Sequence, residues 1–150
     1  MSAPSRSGSA TAAGGWDLFP HDADIGVRGY GRSEAAAFEN AARAMTASMI
    51  DPEEVGTRET VRIVCEAPDR EMLLVDWLNA LVYEMATRSM VFGDFSVSLS
   101  DGRLEAEARG EPIDIARHAP SVEVKGATYT ELKVTRGNDG VWTAQCIIDV

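Results

Sequence analysis

The densest set of reactive side chains is His21-Asp22-Ala23-Asp24, which leads into the run Ile25-Gly26-Val27-Arg28-Gly29-Tyr30. Two carboxylates and an imidazole within four residues could bind a metal ion or transfer protons. On an extended chain Asp22 and Asp24 would point to the same side. The competing reading of this spacing is a solvated turn ahead of a strand. Asp149 is a second candidate. It follows the apolar run Cys146-Ile147-Ile148, and the α-carboxylate of Val150 stands beside it. Together these two groups offer up to four oxygens, the donor type that hard cations such as Ca²⁺ and Mg²⁺ require. The alternative there is a frayed chain end. Asp76 lies inside the apolar run Leu74-Val75-Asp76-Trp77-Leu78. It reads first as a partly buried structural carboxylate that binds a donor across a helix–sheet interface, and second as part of a site. A fourth group is Glu111, Asp114, Arg117 and His118, in a segment that reads as a connector between strands. A single histidine in such a loop is more often a surface residue than a ligand. No serine or threonine sits in a nucleophile motif, and Gly29 and Gly31 do not make a phosphate loop.

Regular elements must hold these groups in place. Phe38, Ala41, Ala42, Met45 and Met49 recur at helical spacing after Ser33, a good N-cap, and Asp51-Pro52 closes the run. A second helix follows Asp69, with a wide apolar stripe of Leu74, Trp77, Leu78, Leu81, Val82 and Met85 that predicts deep packing against a sheet. Elsewhere the pattern alternates with period two. Val61, Ile63 and Cys65 mark one strand. Phe95, Val97 and Leu99 mark another, which turns at Asp101-Gly102 into Leu104, Ala106 and Ala108. Residues 122–135 resume a strand pattern, and Gly137-Asn138-Asp139-Gly140 turns the chain into a last strand from Val141 to Val150. The expected fold is α+β in one domain, a mainly antiparallel sheet with two main helices packed on one face.

The chain has 150 residues, 14 basic against 24 acidic, and a net charge of −10. That length suits one domain. The negative balance argues against direct, sequence-independent binding of nucleic acid, which depends on Lys and Arg. No stretch approaches the ~18 apolar residues of a membrane span. Residues 1–15 are rich in Ser, Gly and Ala with Arg6 as the one charge. They lack the apolar centre of a secretory signal and read as a disordered tail before a domain at 16–150. Cys65 and Cys146, both in apolar strand contexts, read as buried free thiols in a reducing, cytoplasmic setting.

Taken in order, the motifs resemble the archease family. The resemblance begins at HDADIGVRGYG (21–31) and continues through AFENAARAM (37–45) and LLVDWLNALVYE (73–84). It goes on through GEPIDIARH (110–118) and VEVKGATYTELKV (122–134) to the closing strand before Asp149-Val150. Asp22 stands where the family opening usually has Thr, and KGATY replaces the usual KAITY. The resemblance implies an accessory protein of an RtcB-type RNA ligase, not itself a ligase. That partner joins RNA ends in tRNA splicing and RNA repair through a ligase–guanylate intermediate. The accessory protein would promote guanylation and repeated turnover. The resemblance also implies a divalent metal, usually calcium, held by Asp24, Asp149 and the terminal carboxylate of Val150. Asp22 and His21 are possible additions, and Mg²⁺ or Mn²⁺ suit the same oxygens. Asp76, Glu111, Asp114 and His118 are then structural or partner-facing. Two rival readings stand beside it: a stand-alone metal-dependent hydrolase using His21, Asp22 and Asp24, which the lack of a second base or nucleophile motif disfavours, and a chaperone-like protein binding many clients.

Overall fold

The computed structural model describes residues 7–11 and 14–150, with side chains from residue 14 onward. Among the described residues, nine strands and three helices follow in the order β1 (Ser7–Thr11), β2 (Gly14–His21), β3 (Asp24–Gly31), α1 (Glu34–Ala47), β4 (Glu59–Glu66), α2 (Arg70–Arg88), β5 (Met90–Ser100), β6 (Arg103–Pro112), α3 (Ile115–His118), β7 (Gly126–Ala127), β8 (Lys133–Arg136) and β9 (Trp142–Asp149), with a short 3₁₀ turn at Pro52–Glu54. The class is α+β and every strand pairing is antiparallel. The strands divide into two sheets. One runs β1-β2-β3-β9-β7, with β8 also paired to β9; the other runs β4-β6-β5. Both α1 and α2 touch both sheets, so the helices join them through one core.

The helix boundaries follow from local chemistry. Ser33 accepts the N–H of Ala36 at 3.1 Å, and Asp69 accepts that of Met72 at 2.8 Å. Each cap satisfies a donor that the first helical turn leaves open. The α2 stripe is buried as its periodicity predicts. Trp77 is fully enclosed, donates its indole N–H to Phe38 O at 3.1 Å, and meets the Phe95 ring edge-on with centroids 6.0 Å apart. Phe38, Met45, Leu74, Leu78, Leu104, Cys146 and Ile148 complete the centre of the core. Gly29 and Gly31 have a packing role. A Cβ at Gly29 would strike Ala37 O and Ala41 N, and one at Gly31 would meet Ala36 at 2.5 Å. Their bare backbone lets α1 lie directly on β3.

Three expectations change. Ser7–Thr11, read as part of a disordered tail, forms β1, with Gly8 opposite Trp16 and Thr11 opposite Gly14. Backbone pairing along an exposed sheet edge needs no large side chain, so composition does not report it. Gly14 and Gly15 belong to β2, while residues 1–6 and 12–13 lie outside the described residues. The strand pattern over 122–135 resolves into the short β7 and β8. Val124 is buried without being in a strand, which explains the misleading period. The segment from Gly110 is not wholly a connector, since β6 runs through Pro112 and α3 supplies one helical turn. Among the described residues no helix is long and apolar enough to cross a membrane.

Candidate functional site at the end of β9

β2 and β3 form a tight hairpin in which His21 pairs with Asp24 and Asp22-Ala23 make the turn. Asp22 takes the left-handed region at φ 54°, which an aspartate tolerates better than a β-branched residue. Its side chain is 94% exposed and 3.9 Å from His21 Nδ1. The turn therefore separates the carboxylates that an extended chain would have aligned. Asp22 points to solvent beside His21, and Asp24 starts β3.

Asp24 instead meets the other end of the chain. β3 pairs with β9 so that Ile25 stands opposite Ile148. One further step of that register would set Asp24 against Asp149. The Val150 N–H donates to Asp24 Oδ1 at 3.3 Å across 126 residues of sequence. On the other side of β9, Gly126 pairs with Asp149, and the Lys125 N–H donates to Asp149 O at 2.8 Å. The last residues are thus held on both sides, not frayed. Among the described residues neither the Asp24 nor the Asp149 side chain has a Lys, Arg or His within ion-pair distance. Among the same residues no three His, Cys, Asp or Glu side chains gather into a metal-holding group. The side chains contribute two carboxylates, and a third would be the α-carboxylate of a chain ending at Val150. An all-oxygen anionic set without a protein cation beside it fits a hard divalent ion in chemical type.

Glu111, Asp114 and His118 gather elsewhere. Glu111 Oε2 accepts from Arg117 Nη2 at 2.6 Å, from the Gly56 N–H at 2.7 Å and from His118 Nε2 at 2.9 Å. The Arg117 guanidinium, then the Gly56 N–H and His118, hold the Glu111 carboxyl down at about 2. The Asp114 N–H donates to His118 Nδ1 at 2.9 Å, which leaves the ring proton on Nε2, facing Glu111. The His118 side chain is fully buried, which corrects its reading as a surface residue. Its loop is folded inward by the carboxylate seven residues earlier. Asp114 also caps α3 by accepting the Arg117 N–H at 3.2 Å. The network ties α3 to β6 and to the segment before β4.

Asp76 is half-buried on α2. Among the described residues it has no hydrogen-bond or ion-pair partner, so the donor expected across the helix–sheet interface is not there. Its charge acts on Cys65, whose thiol is pushed up to about 11, mostly by burial and next by Asp76. Two residues that support the end of β9 escaped the sequence reading. Lys125, just before β7, acts through its main chain, which no side-chain pattern reports. Asn79, a polar residue of α2 beside its apolar stripe, binds both backbone groups of Ala127.

Comparison with known proteins agrees with this architecture. The family model described as the Archease protein family (MTH1598/TM1083) matches residues 16–150. The chain is 37% identical over 139 residues to Protein archease of Pyrococcus furiosus, covering 90% of this chain and 98% of that protein. It is 34% identical over 140 residues to Protein archease of Methanosarcina barkeri, covering 90% and 95%. The solution structure of protein 1598 of Methanobacterium thermoautotrophicum superposes with a TM-score of 0.79 at 32% identity, over 90% of this chain and 98% of that one. A Thermotoga maritima crystal structure, described as an archease and possible chaperone, shares the fold with a TM-score of 0.57 at 19% identity, over 88% and 94%. The chain belongs to the archease family.

Proposed function

We propose that the chain is a cation-carrying accessory protein of an RtcB-type RNA ligase, one that promotes guanylation of the ligase and its repeated turnover in tRNA splicing or RNA repair. The observation that supports it is the meeting of Asp24 with the Val150 N–H, in a chain that belongs to the archease family. Asp24, Asp149 and the terminal carboxylate of Val150 would hold the ion, with calcium the first choice and Mg²⁺ or Mn²⁺ alternatives. A bound divalent ion would supply positive charge that neutralises these groups and a hard centre for further oxygen ligands. The protein's own part is to hold the carboxylates together on β3 and β9 and present them at a sheet end. Its net charge of −10 suits a basic cleft on the partner, because opposite fields speed encounter and orient docking. Two free cysteines suit a reducing cytoplasm.

The test is guanylation of the purified ligase with GTP, with and without a stoichiometric amount of this protein. Faster guanylation is expected, and an unchanged rate would remove the reading. RNA cleavage by the protein alone would favour the metal-dependent hydrolase. The words "possible chaperone" attached to the Thermotoga relative raise a second reading. Suppressed aggregation of unrelated unfolded proteins, without any effect on the ligase, would favour it.

A further inference from the structure

We infer that Asn79 is a positioning residue for the end of β9, acting through β7, and that it thereby sets the geometry of the Asp24–Asp149 pair. The inference rests on the reading of that pair as a cation site. β7 is only two residues long, and it is the element that pairs with the final residues of β9 on the side away from β3. The bonds that flank it, from the Lys125 N–H to Asp149 O and from the Thr128 N–H to Ile147 O at 3.0 Å, all lead back to β9, so they do not fix β7 against the rest of the molecule. Asn79 supplies what a neighbouring strand would. Its Oδ1 accepts the Ala127 N–H at 2.8 Å, and its Nδ2 donates to Ala127 O at 3.2 Å. One backbone donor and one backbone acceptor fix which way the amide points. A primary amide meets both in one plane, whereas a carboxylate would face the Ala127 carbonyl with a second acceptor.

The bond carries force toward the site in short steps. Asn79 grips Ala127, and Ala127 stands opposite Ile148. Two residues earlier, the Lys125 N–H binds Asp149 O at 2.8 Å, and the N–H just past β9, that of Val150, binds Asp24. The base of the lever is rigid. Asn79 follows Trp77 and Leu78, both fully buried in the core, on a helix of 19 residues. The neighbouring glycine makes room for the grip, since a Cβ at Gly126 would come within 3.1 Å of Asn79 Oδ1. Asn79 touches no proposed ligand, so its effect is on their placement.

The experiment compares the full chain with Asn79→Ala and with Ser121→Ala. Ser121 lies five residues before β7 but donates its hydroxyl to Ser48 O at 3.0 Å, at the end of α1, so its variant loses a hydrogen bond in the same segment without breaking the Asn79–Ala127 contact. Alanine favours a helix at position 79, so the Asn79 variant folds. The first readout is amide hydrogen exchange without metal. In Asn79→Ala the amides of Lys125 and Val150 should exchange at least tenfold faster, while that of Cys146 in the middle of β9 keeps its rate. The second is calcium titration by calorimetry. Asn79→Ala should bind about tenfold more weakly, and Ser121→Ala should bind as the parent does. Unchanged exchange at Lys125 and Val150 would overturn the inference. So would an equal loss of calcium affinity in Ser121→Ala, which would signal general destabilisation. Absence of calcium binding by the parent would remove the cation reading alone, and the exchange rates would still decide the role of Asn79.

Discussion

Asp24 accepts a hydrogen bond from the Val150 N–H, a main-chain group that no side-chain substitution removes. In a chain that ends at Val150, appending residues converts the α-carboxylate into a neutral amide and leaves every side chain in place. We expect such an extension to weaken calcium binding, measured by calorimetry, by tenfold or more, whereas one at Met1 does not. Asp24→Asn keeps the shape and the carbonyl acceptor but loses the charge, so it should behave like the extension. Asp22→Asn, at a side chain 94% exposed, should have a smaller effect. Glu111 gives a pH-dependent expectation. Its carboxyl is held near 2 against an ordinary 4.5. Its contribution to stability is complete above about 4.5 and disappears as pH falls toward 2. The gap in melting temperature between the parent and Glu111→Gln should therefore be widest near neutrality and close between those values; a constant gap would mean that the charge does not matter. Both carboxylates at the end of β9 were visible in the sequence as local oddities. Their meeting was not a local property, because it needs a register across 126 residues; only the family resemblance joined them. The burial of His118 was hidden for a similar reason, since a loop histidine reveals nothing of a carboxylate folded over it.

At the scale of elements, the two long helices were legible because caps and apolar period agreed. Ser33 and Asp69 do what their positions predict, and the α2 stripe lies in the core. β7 and β8 were not legible, because two- and four-residue strands are too short to establish a period. The division of the strands into two sheets also has no local signature, since each hairpin reads the same in either arrangement. Gly29 carries a clear test of how β3 and α1 meet. A methyl group there runs into helix backbone, which cannot rotate away, so Gly29→Ala should destabilise by about 1–3 kcal/mol or more, as overpacking does. Gly14→Ala, whose Cβ would find its nearest contact at 3.7 Å, should cost much less. Urea denaturation of the two variants checks this, and equal costs would mean that α1 shifts freely over the strand.

For the whole molecule, the buried thiol of Cys146 reports on the integrity of the core. Burial pushes it up to about 12, and it lies on β9 with no surface exposed. Alkylation of Cys146 at pH 8 should therefore follow global unfolding and slow when the protein is stabilised. Cys65, half-buried and raised to about 11, should react sooner. Labelling of Cys146 at the rate of a small-molecule thiol would show that β9 opens on its own.

β9 is also the last in chain order of the described strands, yet it occupies an inner place in its sheet, between β3 on one side and β7 and β8 on the other. The β2–β3 hairpin is made well before it and has no inner partner until residues 142–149 emerge. That sheet then waits for residues 142–149, and folding must close contacts across as many as 126 residues of sequence, which slows it. A polypeptide cut before residue 142 would lack both the strand that lies between β3 and β7 and the Asp149 carboxylate at its end. Closure of the sheet and the meeting of Asp24 with the Val150 N–H thus coincide in time, and a chain cut short would reach neither.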